Sequence, residues 1–330
     1  EYKVNVGMIV RACMPLPTPP AIGEAAAKMK KSLRSPRVLV LGGTGRVGWS
    51  TATALSKLRP DLNILIGGRN QEKGTSLASK LGKRSDFVQV DTHDAGMLEE
   101  ALYGVDLGVH AAGPFQREDK CTVLEAAIST KTAYIDVCDG VEYSWRAKGL
   151  HEQAKASGVP AIITAGICPG VSNVMAAELV HAAISEKACK PERLRNLPEV
   201  KSAFKILDVP TVSARFGSDP FFWNWGMHTF ANFLPTVDLE YSNGQNIFGL
   251  FTHRKLSKSV GYAATAFVMA ILEGNTQPGV WFPEEVRARG NRNQSKEVAS
   301  ETCNSRSNQL YDEQVMFYCC NLKNLGWHVN

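Results

Sequence analysis

The sequence predicts an α/β protein: a Rossmann-type doubly wound parallel sheet followed by an incomplete α+β second domain. Three observations predict it. The run Arg37-Val38-Leu39-Val40-Leu41 is too short for a helix and suits a strand buried on both faces. It enters Gly42-Gly43-Thr44-Gly45-Arg46-Val47-Gly48, and a helical pattern follows from Val47 to Leu58. From Arg37 to Gly166 short apolar runs then alternate with helical stretches, and right-handed crossovers turn that alternation into a parallel sheet.

The first loop carries Gly43-x-Gly45-x-x-Gly48 between a strand and a helix, which is the context of a dinucleotide site. Gly43 permits a tight turn. Gly45 has no Cβ where a pyrophosphate must approach. Gly48 lets the helix pack closely. The helix start offers free N–H groups and partial positive charge to phosphate. An ordinary Gly-rich turn is the competing reading, and the flanking strand and helix argue against it.

The second strand is Asn63 to Gly68. An NAD site usually carries Asp or Glu at its end, to accept from the ribose 2′-OH. Here Arg69 fills the position, with Lys73 one turn on. A carboxylate would repel a 2′-phosphate, whereas a guanidinium binds one bidentately. The expected cofactor is therefore NADP(H), against the alternative of a plain solvated cation.

The remaining elements follow in order. A helix is expected from Gln71 to Leu81 and a third strand from Phe87 to Asp91. Asp91 is placed to accept from an adenine amino group; capping its own loop is the alternative. Asp94 caps a helix from Ala95 to Leu102. The fourth strand, Leu107 to His110, runs into Ala111-Ala112-Gly113-Pro114-Phe115, whose small residues suit close approach of a cofactor. A helix from Cys121 to Ser129, a strand from Ala133 to Val137, a helix from Val141 to Ala156 and a strand from Pro160 to Thr164 complete the alternation. Pro169-Gly170 forces a turn before a helix from Val174 to Ser185.

Beyond Arg195 the alternation stops. Thr211 to Phe216 reads as a strand, and Phe221 to Trp225 as an aromatic cluster suited to core or substrate pocket. Val237–Tyr241 and Ile247–Thr252 flank Asn243-Gly244 as a hairpin, and a small-residue helix spans Ser259 to Leu272. The expected organisation is a basic, Pro-containing extension at 1–36, the Rossmann domain at 37–166, the substrate domain at 167–285 and a disordered tail at 286–330.

Composition narrows the function class. The apolar and charged fractions, 44% and 21%, are those of a globular protein. The net charge of +5 lies within residues 1–37, so no nucleic-acid-binding face is indicated. No apolar run reaches the length of a membrane span. The eight cysteines show no CxxC and no metal-ligand spacing, which points to a reducing compartment and no metal. The basic extension suits an organelle transit segment, hence a chloroplast protein, with a cytoplasmic one as the alternative. Self-association into a homo-oligomer is left open.

The glycine loop, Ala111 to Phe115, Tyr134-Ile135-Asp136 and Gly166-Ile167-Cys168-Pro169-Gly170 occur in this order and together resemble the saccharopine dehydrogenase-like oxidoreductases, in particular their plant branch. The resemblance covers about Ser35 to Glu285. It implies a Rossmann domain, a second domain on a mixed sheet, and a small-molecule substrate at their junction. It places the cofactor on Gly43, Thr44, Gly45, Arg46, Val47, Arg69, Asp91, Ala112 and Gly113, to which the glycine spacing adds Gly48. Relatives continue differently after Arg195 and after Pro235, and the likeness ends at Glu285, so the substrate domain is expected to be truncated or alternatively spliced.

The resulting expectation is an NADP(H)-dependent oxidoreductase acting on a small molecule. Asp136, His110 and Lys120 are candidate acids by position only, so the catalytic residues stay unassigned. A non-catalytic dinucleotide-binding or interaction protein is the first rival. An atypical short-chain reductase is the second, although no Tyr is followed by Lys four residues later.

Overall fold

The computed structural model describes residues 34–115, 118–177, 191–195, 202, 205–206, 211–213, 236–241, 246–250 and 255–289. Expectations for the N-terminal extension, the aromatic cluster at Phe221 to Trp225, the Asn243-Gly244 turn, the joins after Arg195 and at Pro235, and most of the tail lie outside these residues.

The first sheet grows outward from β1 (Arg37–Leu41). Successive side chains of a strand point to opposite faces. Val38 and Val40 accordingly enter one core, with Leu55, Ile64, Val109 and Ile135, while Leu39 and Leu41 enter the other, with Leu98, Leu102, Leu124 and Tyr134. All four are fully buried. Each contributes up to about 1.5–3 kcal/mol of apolar burial.

Parallel pairing on both sides of β1 accounts for that burial. β2 (Asn63–Gly68) aligns Gly67 with Leu41, and β4 (Leu107–His110) aligns His110 with Leu41. β3 (Ser85–Gln89) lies beyond β2. β5 (Ala133–Asp136), β6 (Pro160–Ile162) and β11 (Gly279–Trp281) extend the other side. The seven-stranded order is β11-β6-β5-β4-β1-β2-β3, parallel throughout. This is a Rossmann-like doubly wound sheet. Asp106 pins its near end: Oδ2 accepts from Arg37 N at 2.9 Å, and its own N–H donates to Arg37 O at 2.9 Å.

The crossover helices are α1 (Arg46–Leu58), α2 (Gln71–Leu81), α3 (Ala95–Leu102), α4 (Thr122–Ser129), α5 (Val141–Gly149) and α6 (His151–Ala156). Asp94 caps α3 by accepting from Met97 N at 3.0 Å, as its residue type predicts. Two elements differ from expectation. The third strand lies two residues earlier, since Val90 N–H reaches back to Gly68 O at 3.1 Å and the chain then turns at Asp91. The helix expected from Val141 to Ala156 divides at Leu150, whose N–H bonds Ala147 O at 3.0 Å, a tighter turn than the α-helical one.

The second sheet orders β7 (Pro191–Arg195), β8 (Thr211–Ser213), β9 (Thr236–Tyr241) and β10 (Asn246–Leu250) as β10-β9-β7-β8. β9 and β10 pair antiparallel, as the hairpin reading predicts, and β7 with β8 parallel.

Residues that the sequence reading carried with the second domain return to the first sheet. α7 (Leu256–Leu272) packs on α1, where Gly261 brings the two backbones together. β11 pairs with β6, aligning Val280 with Ala161, although no strand was expected there. α8 (Pro283–Arg289) follows and includes the first four residues of the expected tail, of which Val286 packs against the core.

Candidate dinucleotide-binding site

At the carboxyl end of β1 the chain turns through Gly42 with φ +73°, a conformation that favours glycine. A Cβ on Gly42 would lie 2.7 Å from Ala111 O and 2.8 Å from Ala112 Cα, so this glycine sets the closeness of the β1 and β4 loops. Gly43 N–H is shared between Val40 O at 3.1 Å and Gly67 O at 3.2 Å. Gly45 is the N-cap of α1, donates to Gly42 O at 2.8 Å, and has no side chain to satisfy the first-turn N–H groups. No acidic residue occupies that turn, and both Gly45 and Arg46 are exposed. The helix start therefore presents unpaired donors and positive partial charge to solvent. Val47 is half-buried behind it. Gly48 plays the packing part: its Cβ would sit 2.3 Å from Gly42 O.

Across the loop lies the end of β2. The Thr44 side chain stands over Gly68, where a Cβ would come within 3.3 Å of it. Arg69 is exposed at the strand end, and its carbonyl accepts from Gln89 Nε2 at 3.2 Å. Asn70 caps α2 by accepting from Lys73 N at 2.8 Å, which sets the exposed Lys73 in the first turn beside Arg69. Asp91 follows β3. Its Oδ1 accepts from His93 N–H at 3.1 Å and lies 3.0 Å from His93 Nδ1. Those hydrogen bonds hold its carboxyl below the ordinary range, and the Arg69 charge adds to them. The sequence reading missed His93, which also lies 3.0 Å from Glu118 Oε1. The Asp-x-His spacing after a strand was the only local signal.

The third wall is Ala111-Ala112-Gly113 after β4. Ala111 N–H continues the ladder to Leu41 O at 3.0 Å, Ala112 is half-buried and Gly113 exposed. The structure thus gathers Gly43, Thr44, Gly45, Arg46, Gly48, Ala112 and Gly113 at the ends of β1 and β4, with Arg69 and Asp91 at the ends of β2 and β3.

The positional candidates for acid chemistry do not join them. His110 is buried, with Nδ1 3.4 Å from Ala112 N and its ring edge-on to Phe115 at 4.7 Å. Burial lowers its pKa to about 3, with the His93 charge adding, so it stays neutral and supports the loop. Asp136 is fully buried and accepts from Thr164 N at 2.8 Å, Cys138 N at 3.1 Å and Tyr134 Oη at 3.1 Å. Burial raises its pKa to about 6 against those three bonds. It staples the end of β5 to the segment after β6. Lys120 is exposed just before α4.

After β6, Gly166 and Gly170 form the expected turn: Gly170 has φ +129°, and its Cβ would lie 2.1 Å from Gly166 O. A helical stretch begins at 171, three residues before the expected start. Behind it lies a buried polar group of Ser172, Asn173, Ser202 and Glu284. Among the described residues no helix is long and apolar enough to cross a membrane, and no three His, Cys, Asp or Glu side chains are grouped to hold a metal.

Residues 38–162 match the family model of the saccharopine dehydrogenase NADP binding domain. Prestalk A differentiation protein A of Dictyostelium discoideum is 39% identical over 69 residues, covering 21% of this chain. The match spans only 22% of that relative's length. The apo saccharopine dehydrogenase (L-Glu forming) of Saccharomyces cerevisiae superposes with TM-score 0.55 at 11% identity, over 76% of this chain and 94% of that one, a likeness of fold. The matched residues contain the whole glycine loop, Arg69, Asp91 and the β4 loop: residues 38–162 are similar to a saccharopine dehydrogenase NADP binding domain, and the chain shares the fold of the yeast enzyme.

Proposed function

We propose that the chain binds NADP(H) across the ends of β1, β2, β3 and β4 and acts as an NADP(H)-dependent oxidoreductase on a small molecule at the junction with the second sheet. The observation that carries this reading is the pairing of an uncapped helix start at Gly45 with the exposed cations Arg69 and Lys73 at the end of β2. The residues fit the group. Gly45 leaves its approach open, since the nearest atom to an added Cβ is Gly42 O at 3.2 Å. The first-turn N–H groups of α1 hold the pyrophosphate, Thr44 lines the ribose side, and Arg69 with Lys73 holds the 2′-phosphate. Asp91 accepts from the adenine amino group. Ala112 and Gly113 give the chain between adenine and nicotinamide room to pass the β4 loop. Bound there, the nicotinamide supplies hydride chemistry to a substrate that the protein orients.

A second reading, a dinucleotide-binding protein without turnover, draws support from the burial of His110 and Asp136, which removes two candidate proton donors. Titration of the parent and Arg69→Ala with NADPH and NADH tests the shared cofactor claim. A guanidinium–phosphate contact is worth about 1.5–3 kcal/mol, so the variant is expected to lose roughly ten- to a hundredfold in NADPH affinity while binding NADH as before. Equal affinities of the parent for both cofactors, or an equal loss of both in the variant, would refute the NADP(H) assignment. Oxidation of NADPH over a carbonyl and imine substrate panel then separates the enzyme from the non-catalytic binder.

A further inference from the structure

His93 does something the cofactor reading leaves unused. It lies in the connection between β3 and α3, and its Nδ1 is 3.0 Å from Asp91 Oδ1. Its Nε2 is 3.0 Å from Glu118 Oε1, 25 residues along the chain in the connection between β4 and α4. One imidazole therefore ties together two connections at the carboxyl edge of the sheet. The Asp91 side is anchored by Val90 N–H on Gly68 O at 3.1 Å. The Glu118 side is anchored by its own N–H on Phe115 O at 3.2 Å and by the Arg146 guanidinium, which donates to the Glu118 carbonyl. With the pyrophosphate on α1, the adenine end of a dinucleotide lies between these two connections.

The bridge has a definite chemistry. Both ring nitrogens face carboxylate oxygens at donor distance. The imidazolium donates from both nitrogens, whereas the neutral ring donates from one and turns a lone pair toward the other carboxylate. The Asp91 hydrogen bond and the Glu118 charge accordingly push the His93 pKa up. The charged groups facing the bridge are Asp91 and Glu118 themselves, Arg69 beyond Asp91, Arg146 beyond Glu118, and the buried His110, whose own protonation the His93 charge opposes. Every contact with His93 on the Asp91 carboxyl uses Oδ1, which leaves Oδ2 to accept from adenine.

We infer that His93 is a positioning residue for the cofactor: as a cation it latches the Asp91 and Glu118 connections together and orients Asp91 at the adenine rim, so that cofactor affinity rises as His93 gains its proton. The inference rests on the cofactor reading above and deepens it by adding a proton-linked control of the adenine side.

The test pairs binding with a direct reading of the latch. NADPH and NADH are titrated into the parent, His93→Gln and Glu118→Gln at pH about 6 and about 8.5, on either side of the histidine range. NADH is essential, because the 2′-phosphate of NADPH titrates near pH 6 and would mix with the effect. The parent is expected to bind NADH about two- to fivefold more tightly at the lower pH, the scale of an exposed ion pair. Both variants are expected to lose that slope and to match the parent at the higher pH. Separately, the His93 ring protons are followed by NMR against pH in cofactor-free parent and Glu118→Gln; the His93 pKa is expected to fall in the variant. An unchanged pKa would show that no latch forms. A pKa that falls while NADH affinity stays flat with pH, or keeps its slope in His93→Gln, would show a latch without a positioning role. A parent that binds neither cofactor overturns the cofactor reading and this inference with it, and the NMR titration distinguishes that failure from absence of the bridge.

Discussion

Replacing Gly45 and Gly48 by alanine, one at a time, separates the two duties of the glycine loop. At Gly48 the added Cβ would lie 2.3 Å from Gly42 O, 2.7 Å from Gly42 C and 2.9 Å from Gly43 Cα. All three are backbone atoms of the turn that β1 and the β4 loop hold in place, so none can rotate away. Relief requires α1 to move off the loop. Overpacking of this kind costs about 1–3 kcal/mol. At about 2–4 °C per kcal/mol for a domain of this size, the unfolding temperature is expected to fall by about 2–12 °C. At Gly45 the backbone has φ −86°, which any residue adopts, and the nearest atom to the Cβ is Gly42 O at 3.2 Å. The stability loss there is limited to about 1 kcal/mol for a poorer N-cap residue. The methyl group nevertheless occupies the approach to the first-turn N–H groups. Gly45→Ala is therefore expected to melt within about 4 °C of the parent yet bind NADPH at least about tenfold more weakly. Calorimetric unfolding and cofactor titration on the same preparations read both effects. A Gly45→Ala variant that binds as the parent does would refute the phosphate site. Parent-like melting of Gly48→Ala would refute the packing argument.

Two further outcomes follow from the packing of the returning segment. Gly261→Ala places a Cβ 2.6 Å from Ser50 C and 2.8 Å from Thr51 N, wedging α7 off α1; it is expected to lower stability by about 1–3 kcal/mol in denaturant unfolding while the m-value stays unchanged, and an unaltered midpoint would count against the contact. Glu284 is fully buried with neither carboxyl oxygen in a formed hydrogen bond, and burial raises its pKa above the ordinary 4.5, although Ser202 and Asn173 lie close enough to oppose the rise. A carboxyl raised in the folded state supports stability below 4.5 and loses that support as pH rises through the folded value. Glu284→Gln is expected to gain stability relative to the parent between acid and alkaline pH, and parallel pH profiles of the two would refute the buried charge.

The strands around the glycine loop were legible because their signals are local. Val38 to Leu41 is continuous and apolar, as a strand paired on both sides must be, and the glycines follow within one turn. The exposed place of Arg69 at the end of β2 was legible because that position is counted from the glycine loop. What escaped the reading depends on distance along the chain. His93 acquires its chemistry from Glu118, 25 residues away, and nothing in the Asp-Thr-His stretch announces that partner. His110 and Asp136 sit at strand ends, where alternation cannot tell a residue facing the cleft from one roofed by the next loop; Thr164 and Cys138 N–H groups enclose Asp136. Glycine spacing is similarly blind to role. It placed the turn demand on Gly43, whereas the positive φ belongs to Gly42, because the closest approach is to Ala111 and Ala112 in another loop.

The hardest feature to read was the return of the chain. Gly279-Val280-Trp281 is three residues long, too short for any period, and Pro278 and Pro283 bracket it like a loop. Its strand character comes wholly from β6, which it meets more than a hundred residues after β6 ends. Lys148 then locks it: Nζ donates to Val280 O at 2.7 Å and pairs with Glu285 at 2.5 Å. With α7 on α1 and β11 on β6, all four strands of the second sheet fall between segments that belong to the first. In chain order the second sheet is an insertion, joined at both ends to segments of the first sheet. The insertion is not isolated from that layer: between β7 and β8, Ser202 Oγ accepts from Asn173 Nδ2 at 3.3 Å, Lys205 Nζ lies 4.5 Å from the Trp145 ring, and Ile206 packs against the core on the Leu39 face of the first sheet.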